Sequence, residues 1–100
     1  MKRIAAGIVL MATVCAAQAE SLKDGYIACL SEDYLDQFNQ ALVSNDNKGM
    51  EFLYNKGVCV PTSSKFSISV LDRGFMVTKF RVYVGDDAAV LYTASEAIGR

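Results

Sequence analysis

The first nineteen residues constrain everything after them, because they read as an export signal that leaves a short chain bound for an oxidising compartment. Lys2 and Arg3 form a charged n-region, and Ile4 to Ala17 form an uncharged apolar stretch. Ala17-Gln18-Ala19 places small residues where a signal peptidase needs them, with cleavage expected before Glu20. The apolar stretch is shorter than the roughly 20 residues a membrane span requires, so a retained anchor is the lesser reading. Cys15 is preceded by Val14 rather than a small residue, which disfavours lipidation there. Cleavage leaves residues 20–100, a single domain near the lower limit at which one apolar core suffices. It also leaves two cysteines, Cys29 and Cys59. An even count in an exported chain predicts a disulfide, and two cysteines allow one intramolecular pairing. Closing a loop of that length stabilises by roughly 3–4 kcal/mol in the chain-entropy account. A redox or metal site is the competing reading, but the chain has no histidine and no C-x-x-C spacing.

Two periodicities divide the remainder. From Ser31 to Lys56 the spacing is helical, with Tyr34, Leu35, Phe38, Ala41 and Leu42 on one face. Ser31 is an N-cap, and Glu32 and Asp33 follow in the first turn, where negative charge suits the helix dipole. Ser44 to Asn47 break this helix and cap a second one over about 47–56. That helix buries Met50 and Leu53, with Phe52 and Tyr54 as further candidates, and Gly57 stops it. Cys29 and Cys59 flank the resulting hairpin. After Pro61-Thr62-Ser63-Ser64 the period becomes two. Phe66, Ile68 and Val70 mark one strand, Met76 to Val84 a second and Ala88 to Thr93 a third, with turns at 72–74 and 85–87. A short helical turn is expected at 95–98. The expected architecture is therefore α+β: an N-terminal helical hairpin (20–61), closed by one disulfide, packed on a three-stranded antiparallel meander (62–100). SH3-like closure of the β-region is an open alternative.

Little in the sequence carries chemistry. Aligned as a calcium loop on Gly49, the stretch from Ser44 puts Lys48 where an oxygen ligand is needed and Asn55 where a bidentate Glu is needed, so it reads as an interhelix turn. Asp86 and Asp87 read as a hairpin turn, since adjacent carboxylates diverge and no third ligand accompanies them. Residues 50–57 look like the second helix of an ankyrin repeat, but one copy cannot build a solenoid. Without histidine or a G-x-S-x-G elbow, Ser63, Ser64 and Ser95 have no evident base. No catalytic, cofactor-binding or metal residue is expected. Lys2 and Arg3 leave with the signal, so eight basic and eleven acidic side chains remain, a net charge of −3 without the basic stripe nucleic-acid binding requires.

The segments Tyr26–Leu30, Gly57–Pro61 and Ser69–Thr93 resemble small exported proteins of Gram-negative bacteria of uncharacterised role, in which a disulfide-tied helical hairpin precedes an SH3-like β-region. The resemblance implies a scaffold and transfers no catalytic or binding residue. If the helices cover the Phe80 and Val82 face of the second strand, its other face presents Lys79, Arg81 and Tyr83, residue types suited to an interface. The plain alternative is a solvated sheet face. The expected function is a non-enzymatic periplasmic or secreted binding module that docks an envelope protein through Lys79, Arg81 and Tyr83, as an inhibitor, immunity factor or accessory subunit. A module contacting peptidoglycan is the alternative, and a small envelope hydrolase ranks last.

Overall fold

The computed structural model describes residues 20–99. The export signal and Cys15 lie outside the described residues. Strands β1 (Ser21–Leu22) and β2 (Ile27–Cys29) come first, followed by helices α1 (Glu32–Val43) and α2 (Asn47–Asn55). Then come β3 (Cys59–Pro61), β4 (Ser67–Arg73), β5 (Val77–Val84) and β6 (Asp87–Ala94). A 3₁₀ turn at Ser95–Ala97 leads into β7 (Ile98–Gly99). Five strands form an antiparallel sheet in the order β3-β2-β6-β5-β4, and β1 pairs with β7 in a separate two-stranded sheet.

This corrects the expected architecture in two ways. The α+β class stands, but a five-stranded sheet and a two-stranded one replace the three-stranded meander. The helices are not an N-terminal hairpin packed on a separate β-region either. Two strands precede them, and β2 and β3 on either side of them both belong to the main sheet. The physical reason lies in length. A strand of two or three residues contains at most one alternation, so it carries no readable period and is held by its pairing partners. Here β6 supplies the template, setting Ala28 opposite Thr93 and Cys29 opposite Tyr92.

The helices form for the reasons their residues give. Ser31 accepts a hydrogen bond from the Tyr34 amide at 3.1 Å, and Asp46 accepts one from the Gly49 amide at 2.9 Å, each satisfying a first-turn donor. Gly57 takes φ +79°, the left-handed conformation that ends a helix. Leu35, Phe38, Ala41 and Leu53 face inward, whereas Leu42, Phe52 and Tyr54 stay exposed.

Two cores sit on opposite faces of the main sheet. On one, Phe80, Val82, Leu91 and Ala28 pack against Leu22, Ala97 and Ile98 from the β1–β7 pair and the 3₁₀ turn. On the other, Cys29, Cys59 and Val58 pack against Leu35, Phe38 and Leu53, with Val77 and Tyr92 at the margin. The helices thus lie on the side of Lys79, Arg81 and Tyr83 and not on the Phe80 and Val82 face, which overturns the arrangement under which those three residues were expected to be displayed. Side chains alternate along β2, so Ala28 joins the Phe80 core while Cys29 points to the other side. α1 begins three residues after Cys29, and the helices fold onto that same side. Cys29 and Cys59 sit directly opposite one another across β2 and β3 and are joined by a disulfide, with Cα atoms 4.0 Å apart. The expected turn at 72–74 also moves: Asp72 and Arg73 belong to β4, which carries a register irregularity between Val70 and Asp72.

Candidate functional site

The helices do not reach across the whole of their face. α1 packs chiefly on β2, β3 and β6, and α2 on β3; Glu32 at the start of α1 reaches the Asp72 and Lys79 end of β4 and β5, while Ser67, Tyr83 and Ala88 further along stay exposed. On this half of the face, three rows run across the strands. Asp72, Lys79 and Tyr92 form the first, Ser69, Arg81 and Val90 the second, and Ser67, Tyr83 and Ala88 the third. The three residues expected at a partner surface therefore share one face of β5. Lys79 and Arg81 are half-buried and Tyr83 is exposed.

The register explains their reach. Beside Arg81 and Tyr83 the neighbouring strands place only Ser69, Val90, Ser67 and Ala88, all shorter than the residues they flank. The Tyr83 hydroxyl and the Ser69 hydroxyl lie 3.0 Å apart. Tyr83 titrates below the usual tyrosine value because the Ser69 hydroxyl and then the Arg81 side chain hydrogen-bond its oxygen, partly opposed by desolvation. Lys79 has a different setting: with Glu32, Asp72, Val77 and Tyr92 it lines a cavity of about 160 Å³. Among the described residues the one ion pair within 4.0 Å joins Arg73 and Glu20, at 2.8 Å. Neither Lys79 nor Arg81 is so paired.

Among the described residues, no group of three or more His, Cys, Asp or Glu side chains is placed to hold a metal ion. Asp46 uses its carboxylate to cap α2, and Gly85-Asp86 form the two-residue connection from β5 to β6, with Asp87 opening β6. No helix among the described residues is long and apolar enough to cross a membrane.

Two apolar features lie outside the expected contact residues. Phe75 is 95% exposed and Met76 72% at the tip of the β4–β5 hairpin, held from behind by Ser95, whose hydroxyl donates to the Gly74 carbonyl and whose amide donates to the Met76 carbonyl. The available signal was an apolar pair beside Gly74, in a turn where polar residues are usual. At the far end of β5, Leu30, Val60, Phe66, Val82, Val84 and Leu91 line an apolar cleft of about 290 Å³. It is assembled from stretches far apart in the chain, from Leu22 to Leu91, and no local pattern announces it.

Comparison with protein-family models, with curated proteins and with solved structures found no match to this chain.

Proposed function

We propose that this protein is a non-enzymatic binding module of the cell envelope, periplasmic in its working location, that docks a protein partner through Lys79, Arg81 and Tyr83. The observation that carries the reading is the position of these three side chains on the part of the sheet face that lies beyond the chief helix packing. Tyrosine and arginine dominate interface hot spots because each offers a large contact area with a polar end. A sheet is a stiff platform, so little backbone freedom is lost when a partner settles on it. The buried disulfide fits an oxidising, exported location.

The test is affinity capture from envelope extract, using protein expressed as the full chain and purified from the oxidising compartment. The reading expects a partner retained by the wild type and lost from Arg81→Ala and Tyr83→Ala variants of unchanged circular dichroism. Equal retention by wild type and both variants overturns it. Sedimentation with purified cell-wall sacculi, in the absence of any retained protein, would move the reading to peptidoglycan.

A further inference from the structure

Among the described residues, Arg81 is the one basic side chain of the face it shares with Lys79 and Tyr83 that has no acidic residue across either strand. Its cross-strand neighbours are Ser69 and Val90, whereas Lys79 stands opposite Asp72 and shares its small cavity with Glu32. Lys79 therefore has two carboxylates among its neighbours, and Arg81 has none across either strand. Beside Arg81 are two hydroxyls, those of Ser69 and Tyr83, bonded to each other. One donates to the other, so a single hydroxyl hydrogen remains to be donated outward. The guanidinium adds a planar fork of N–H donors whose geometry matches a carboxylate.

We propose that Ser69, Arg81 and Tyr83 form a receptor for one carboxylate, supplied by an acidic side chain on the docked protein. This rests on the binding-module reading and names the chemistry of its partner. Charge complementarity selects the occupant. The chain from residue 20 onward carries a net charge of −3, and Asp72 and Glu32 stand on the same face beyond Lys79. An extended polyanion such as nucleic acid would run onto those carboxylates, whereas a single acidic side chain meets Arg81 alone. Capture of a C-terminal carboxylate generally uses a nest of backbone amides, while acidic side chains are read by arginine. On this face the backbone amides of β5 are committed to its pairing with β4 and β6. An aspartate or glutamate side chain is thus the occupant.

The experiment is an NMR titration of the isotope-labelled protein with a capped Gly/Ser peptide carrying one glutamate. The same peptide with glutamine in its place, and inorganic phosphate, are run in parallel. The glutamate peptide should shift the amide signals of Ser69, Arg81 and Tyr83, and added salt should weaken the effect. Arg81→Gln should weaken binding about tenfold or more, the usual scale for losing a hydrogen bond to a charged group. Arg73→Gln, which removes a cation already paired with Glu20, should leave the titration unchanged. Equal binding of the glutamine peptide, an Arg81→Gln variant that still binds the glutamate peptide, or shifts produced by phosphate alone would overturn the carboxylate assignment. None of these results bears on partner capture by the Arg81→Ala and Tyr83→Ala variants, so the two readings fail separately.

Discussion

Gly74 shows how much one missing side chain can matter. A Cβ built there would lie 2.3 Å from the Val77 carbonyl oxygen, a backbone atom that cannot swing aside. The same glycine donates its amide to that oxygen at 3.0 Å and accepts the Ser95 hydroxyl through its own carbonyl at 2.8 Å. Since Ser95 donates to Gly74, the Thr78 hydroxyl donates to Ser95, completing a relay from the buried sheet to the hairpin tip. Gly74→Ala should cost about 1–3 kcal/mol in denaturant unfolding, the range for a backbone clash of this kind. Two tyrosines give a second residue-scale expectation. Tyr26 is pushed above the ordinary tyrosine value near 10, first by desolvation and then by its hydrogen bond to Glu96. Tyr83 is held below that value, chiefly by Ser69. Followed by ring NMR in alkali, Tyr83 should titrate before Tyr26, and Ser69→Ala should return Tyr83 toward its ordinary value. The folded state favours the neutral Tyr26 phenol, so its contribution is complete below about pH 10 and is lost as pH rises through its raised pKa. Wild-type stability should accordingly fall more steeply in alkali than that of Tyr26→Phe.

Among elements, the helical excursion depends on its tie. The disulfide joins β2 to β3 at the base of α1 and α2 and closes 30 residues, which accounts for roughly 3–4 kcal/mol. A Cys29→Ala, Cys59→Ala double variant should show that loss as a markedly lower melting temperature. The helices were legible in the sequence because 3.6-residue spacing, Ser31 and Gly57 all agree on where they begin and end. The long strands β5 and β6 were legible for the same reason, their alternation running over eight residues each. The short strands were not, because β1, β2, β3 and β7 are specified by what they pair with. The shared strand face of Lys79, Arg81 and Tyr83 was legible from the alternation alone. Which face the helices occupy was not, since it turns on whether Cys29 or Ala28 points toward Phe80. Nor could the sequence show that the helices pack chiefly over β2, β3 and β6, which decides what remains open.

On the scale of the molecule, the two ends of the described chain hold one another. β1 pairs with β7, the Lys23 amide donates to the Ala97 carbonyl at 2.7 Å, and together they cap the Phe80 core with Leu22 and Ile98. Leu22, 2% exposed and the second residue of a two-residue strand, closes that core beside Ala97 and Ile98. Leu22→Ala should therefore cost about 2–5 kcal/mol in denaturant unfolding, despite lying three residues from the expected cleavage point. In a domain with a total stability of about 5–15 kcal/mol, combining it with Ile98→Ala should leave little folded protein at ambient temperature. The crosslink between β2 and β3 has a consequence of another sort. If β3 slipped by one residue, Val60 would stand opposite Cys29 and Cys59 would turn its sulfur to the far side of the sheet. Only the native register sets the two sulfurs against one another across β2 and β3, so the bond, once made, pins that register and with it the footing from which both helices spring.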